Sequence, residues 1–416
     1  MSSTDPGTNP KTSPEMSPRM TTAPTFEISG RDPSTGRRCT VEVADGLITQ
    51  VHLDSADAAD DADDATTGAE TEPWLAPGLV DLQVNGFAGF DVNAADAGPD
   101  TIVAMVRALW KVGVTTVVPT IVTASEEHIV TCLRRVVAAR AEDPMVRHAV
   151  PYVHVEGPHL SSEDGPRGVH DAAQIRPPDV AEFDRWQQAG EGLVGMVTMS
   201  PHFPGSPSYV RALADHGVLV SVGHTGATPE QIHAAADAGA TFSTHLGNGA
   251  HAVLPRHPNY VWAQLADDRL TAGFIADGHH LPADTLVAML AAKGPERSVL
   301  VSDATTLAGS PPGVYQTPVG GAVELSAQGR LSHVGTPYLA GAARPVTDGV
   351  AHVANLGRFS LAEALALATS SPGRFVGGRG RLAAGAPADL VTFHWSPGNP
   401  TLTVDKVVAA GTPVVG

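Results

Sequence analysis

The spacing of apolar and polar positions divides the chain into stretches of different period. Near the N-terminus, residues 26–28, 39–43 and 47–53 read as short strands, with turns at Asp32-Pro33 and Asp45-Gly46. From Trp74 onward strands alternate with helices. Apolar runs at 79–84, 115–119, 150–155, 193–198, 218–222, 241–244, 271–275 and 298–302 are separated, for the most part, by helical patterns such as 100–112, 126–141, 208–216, 229–238 and 282–293. The helix at 229–238 carries its own punctuation: Thr228 as N-cap, Pro229 in the first turn and Gly239 as stop. Eight such units predict an α/β protein, a (β/α)8 TIM-like barrel. Helical patterns at 346–356 and 361–371 follow, and 389–393, 402–408 and 412–415 return to strands. With β structure at both ends and βα units between, a small β-sandwich domain built from both chain ends is expected. The boundaries read as a disordered tail at 1–24, the first part of the β domain at 25–75, the barrel at 76–380 and the second part at 381–416.

Polar residues at the predicted strand ends carry the chemistry. His224 follows the strand at 218–222, and His245 ends the next one, a single βα unit later. In a parallel barrel those ends share one face, where catalytic groups gather. Two imidazoles in one mouth are most of a metal site; in a chain with 18 histidines the pair alone is equally compatible with two unrelated loop residues. Glu156 ends the third strand, between an apolar run and Gly157-Pro158, and points to the same face. One carboxylate and two imidazoles form an open tripod that leaves room for water. Asp303, after the eighth strand, is the fourth polar group there. A carboxylate beside an activated water can take its proton and return it to a leaving nitrogen.

Composition narrows the function classes. The formal net charge is −18, from 26 basic and 44 acidic residues. A basic stripe is absent, which argues against nucleic acid. Eight acidic residues and no Lys or Arg fall within 54–72, which reads as a solvated insert in the β domain. Residues 1–24 are rich in Ser, Thr and Pro and are expected to be neither signal peptide nor membrane anchor. No run approaches the roughly 18 apolar residues of a membrane span. Cys39 and Cys132 are the only cysteines and have no framework spacing, which points to a reducing cytoplasm.

With these residues placed, the chain resembles the amidohydrolase superfamily and, within it, the N-acetylglucosamine-6-phosphate deacetylase family. The resemblance runs from about Trp74 to the C-terminus. It rests on Ala76-Pro77-Gly78-Leu79-Val80-Asp81, His154-Val155-Glu156-Gly157-Pro158, Gly223-His224-Thr225, Thr244-His245-Leu246, Ala276-Asp277-Gly278-His279-His280 and Ser302-Asp303-Ala304-Thr305, in that order. It implies a metal on Glu156, His224 and His245, with Asp303 as acid and base and His170 polarising the acetyl carbonyl. It further implies that Asn248, Gly249 and Arg256 hold a sugar phosphate, the arginine reaching the neighbouring site of a homodimer. His280 would contact the sugar, and Leu339, Ala340 and Gly341 would line the pocket.

Departures from the family pattern sharpen the expectation. Many amidohydrolases carry His-x-His on the first strand for a second metal; here Gln83 and Asn85 stand in those positions. Neutral amides are poor transition-metal ligands beside imidazole. One divalent metal per chain is therefore expected, zinc first, with iron, manganese and cobalt compatible. The phosphate loop reads Gly247-Asn248-Gly249-Ala250, and Arg256 precedes His257-Pro258, both unusual for the family. The expected activity is hydrolysis of the acetamido group of an amino-sugar phosphate. Alternatives are a deacetylase of another N-acyl sugar, a cyclic-amide hydrolase, and a barrel scaffold without activity.

Overall fold

The computed structural model describes residues 25–55, 72–317 and 321–416. The tail at 1–24 and most of the acidic insert lie outside the described residues. Eight strands, Leu79–Val84, Val114–Val122, Val153–Glu156, Val194–Met199, Leu219–Val222, Ala240–Ser243, Thr271–Ile275 and Ser298–Val301, pair in chain order as one parallel sheet. Most of their residues are buried, as expected of strands with side chains in the barrel on one face and under helices on the other. The expected TIM-like barrel is therefore present.

The first and eighth strands meet at the upper rim. The Asp303 N–H donates to the Gln83 carbonyl at 3.0 Å, and the Asn85 N–H to the Ala304 carbonyl at 2.9 Å. Lower down, the seam is filled by a later segment. Leu300 N–H donates to the Leu367 carbonyl at 2.8 Å and Val80 N–H to the Ala368 carbonyl at 2.9 Å. This explains a departure from the sequence pattern. The helical run expected at 361–371 stops at Leu361–Ala366, because the next two carbonyls serve the barrel strands. Likewise the third strand begins at Val153, not Val150, because Val150 N–H caps the helix Pro144–Ala149 through the Val146 carbonyl.

The helix Pro229–Ala238 has the predicted ends. Thr228 and Gln231 form a reciprocal capping box, and Gly239 stops the helix at φ 118°. Helices Val180–Ala189 and Tyr260–Ala266 were not legible in the pattern; Asp179 and Asn259 cap them.

Strands from both chain ends form the small β domain. The expected sandwich is one continuous hydrogen-bonded sheet of seven strands. Phe26–Arg31 lies between Arg38–Ala44 and Trp74–Pro77, and the latter pairs with Leu390–His394. Its core, including Val41, Val43, Leu75 and Leu390, is separate from the barrel's.

A second sheet follows the eighth barrel strand: Gly313–Thr317, Gly321–Leu325, Arg330–His333 and Leu339–Ala342, antiparallel in that order. Its last strand joins the barrel rim, where Ala342 bridges Ala304 and accepts from Thr305 N–H at 2.9 Å. This sheet forms a flap beside the barrel mouth. Among the described residues no helix is long and apolar enough to cross a membrane.

Candidate metal centre

Glu156, His224 and His245 come from the ends of strands three, five and six and meet at the mouth. Their ligand atoms all lie within 4.8 Å of one another, and all three residues are buried. His245 Nε2 is 3.0 Å and His224 Nε2 3.3 Å from Glu156 Oε1, and the two Nε2 atoms are 3.1 Å apart. His224 Nδ1 lies 2.7 Å from the Pro166 carbonyl and donates to it, which assigns a bare lone pair to Nε2. A bare nitrogen this close to a second imidazole nitrogen and a carboxylate oxygen fits a shared cation. A Cβ at Gly249 (φ 55°) would stand 2.7 Å from His224 Nδ1, so only glycine lets the loop pass behind that ring.

The backbone at this face is held in an uncommon conformation. His224, His245 and Asp303 have φ of 48°, 28° and 49°, three of seven non-glycine residues in that region among the described residues. Such backbone costs of order 1–3 kcal/mol per residue and persists only where surroundings impose it. Here it turns three side chains inward just past their strands.

Asp303 is buried in the mouth. Burial, then the Glu156 charge, pushes its carboxyl up to about 6. Asn85 Nδ2 donates to Asp303 Oδ1 at 2.7 Å; Gln83 Nε2 donates to the same oxygen at 3.1 Å and to Glu156 Oε1 at 3.0 Å. The amides that replace the expected histidines thus orient both carboxylates. The sequence showed only that they were poor ligands. Elemental analysis of the purified protein should give about one tightly held metal per chain; two would overturn this reading.

Burial opposes the Glu156 charge, but the adjacent His224 and His245 imidazoles outweigh it and hold the carboxyl well below its usual range. His170 Nε2 lies 3.3 Å from His224 Nε2; burial, with His224 adding to it, pushes His170 down to about 3, so its ring is neutral. Beneath the centre, His154 is also neutral, pushed down to about 4 by burial. Its Nε2 meets Thr198 Oγ1 at 2.7 Å, and Thr198 continues to Thr244 at 2.6 Å, beside His245. His154 stood in a quoted motif, but its inward hydroxyl chain was not visible from spacing.

Above the centre opens a cavity of about 810 Å³. Asn248, Gly249, His280, Leu339, Ala340 and Gly341 line it, together with His170 and Asp303. His280 Nδ1 is 2.7 Å from Asp277 Oδ2 and is oriented by it. The Asn248 N–H donates to the His245 carbonyl at 2.9 Å, and its Nδ2 donates to the same oxygen at 3.3 Å. Arg256 is exposed and does not line the cavity of its own chain.

The fold, the tripod and the carboxylate beside it coincide with a family match: residues 74–414 fit the Amidohydrolase family. The chain belongs to the amidohydrolase family. This amidohydrolase is 35% identical over 336 residues to the N-acetylglucosamine-6-phosphate deacetylase of Bos taurus, covering 77% of this chain and 79% of that one. It is 32% identical over 338 residues to the N-acetylgalactosamine-6-phosphate deacetylase of Escherichia coli O157:H7, covering 81% and 85%. Among solved structures it resembles N-acetyl-D-glucosamine-6-phosphate deacetylase from Mycobacterium smegmatis. The TM-score is 0.80 at 29% identity, over 94% of this chain and all of that one.

Proposed function

We propose that this amidohydrolase removes the acetyl group of N-acetyl-D-glucosamine 6-phosphate, releasing acetate and glucosamine 6-phosphate. The observation that carries the reading is the convergence of Glu156, His224 and His245 beside Asp303 at the base of a cavity. The named relatives support the substrate class. Glu156, His224 and His245 would hold one divalent metal, zinc first. Such an ion supplies Lewis acidity, which polarises an amide carbonyl and acidifies water.

The chain's own residues do the rest. Asp303, ionised and oriented by Asn85 and Gln83, takes the proton of the attacking water. His170, being neutral, donates an N–H to the carbonyl oxygen as negative charge grows on it. Asp303 then returns the proton to the departing nitrogen, so the amine leaves neutral. His280 orients the sugar, and Leu339, Ala340 and Gly341 form the wall against it. Asn248 and Gly249 receive the phosphate, joined by Arg256 from the second subunit of a homodimer. Exposure of Arg256 on a loop outside its own cavity supports that route. Two buried free cysteines support a cytoplasmic enzyme.

The test is acetate release by the metal-loaded enzyme from N-acetylglucosamine with and without its 6-phosphate, and from the 4-epimeric galactosamine pair. The galactosamine arm is included because one relative is named for that sugar. Higher kcat/KM on the phosphorylated glucosamine compound is expected; no acetate from any of them overturns the reading. In the same assay Arg256→Ala should raise KM for the phosphorylated sugar about tenfold or more, the cost of one charge-assisted bond pair. Equal loss on both forms would make the arginine structural.

A further inference from the structure

The cavity is poor in positive charge for an anionic substrate. Four carboxylates line it, from Asp91, Glu156, Asp171 and Asp303. Among the described residues, Arg330 is the only Lys or Arg in its wall. We infer that Arg330, on the flap, is a second phosphate-recognising residue of the site, acting from the same chain as the metal ligands.

The placement is rigid. Arg330 pairs in register with Ala342, and Ala342 bridges Ala304, the residue after Asp303. Two strand spacings, about 10 Å, therefore separate the Arg330 backbone from that of the residue beside Asp303. The hydrolytic centre and the guanidinium thus face one cavity from separated points, as the two ends of a sugar phosphate require. The Arg330 N–H meets Ser326 Oγ at 3.1 Å, and one Nη2 hydrogen goes to the Pro337 carbonyl. A guanidinium has five donors, so most remain for a ligand. No carboxylate pairs with it among the described residues. A planar fork of this kind matches phosphate oxygens with parallel charge-assisted bonds. Arg256 does not supply this charge within its own chain, so each cavity would combine one arginine of its own with one from a neighbour.

The inference rests on the sugar-phosphate reading above, and its test separates the two. Calorimetric titration of metal-loaded wild type, Arg330→Ala and Arg330→Lys with D-glucosamine 6-phosphate and with D-glucosamine measures the phosphate preference directly. Arg330→Ala should reduce the ratio of the two affinities at least tenfold, and Arg330→Lys should recover part of it. In turnover of the N-acetyl sugar phosphate, the change should fall on KM more than on kcat. An unchanged ratio, or equal weakening of both ligands, overturns the role of Arg330. Failure of the function reading shows elsewhere, as the absence of acetate release by wild type.

Discussion

Asp303→Asn is expected to lower kcat by about 10²–10⁴ while metal content stays at the wild-type level. The substitution keeps the shape of the side chain and removes its basicity. Asp303 stands apart from the three candidate ligands, which come from other strands, so its loss leaves them in place. Its two amide donors, Asn85 and Gln83, would both face the oxygen of the new amide only if that amide turns the right way. In either orientation no group remains to take a proton from water. The measurement is kcat on N-acetylglucosamine 6-phosphate together with elemental analysis. Activity within a few fold of wild type would move the base to another residue, such as His280, which also lines the cavity.

Glu156→Gln is expected to fail differently. Glu156 supplies the only negative charge of the tripod, and its Oε1 meets both histidines and Gln83. A neutral amide there binds a transition metal poorly. Metal should be lost on dialysis, and with it several kcal/mol of Lewis-acid stabilisation, which is at least about 10²–10³ in rate. Added zinc should restore part of the activity of Glu156→Gln and none of that of Asp303→Asn. If both variants kept full metal and lost activity alike, Glu156 would not be a ligand. The two substitutions therefore divide metal holding from proton transfer in one experiment.

Much of this arrangement is legible in the sequence. Buried parallel strands are near-continuous apolar runs, and Glu156, His224, His245 and Asp303 each stand at or just past the end of one, so barrel and mouth could be read from the order of motifs. His224, His245, Glu156 and Asp303 meet because the fold brings strand ends together, however far apart they lie in the chain. The flap was harder. Its strands are short, partly exposed and follow Gly309-Ser310-Pro311-Pro312-Gly313, so their alternation resembles a loop. Arg330 accordingly carried no signal. The parts played by Gln83 and Asn85 could be read only as an absence. That their amides hold Asp303 depends on the closure of strand one against strand eight, a contact across more than 200 residues. Leu367 and Ala368 were hidden for a similar reason: a helical pattern cannot announce that its last carbonyls belong to a distant sheet.

The left-handed backbone at His224, His245 and Asp303 sets stability against chemistry at the same three residues. Glycine adopts that conformation without steric cost, and Asn tolerates it better than most. Replacing any of the three by glycine relieves local strain while removing a group the proposed reaction uses. Part of the cost of placing these side chains is therefore carried by the backbone of the mouth itself. A stabilised catalyst has to be sought elsewhere, in the seven-stranded domain and the outer helices, with these three positions held fixed.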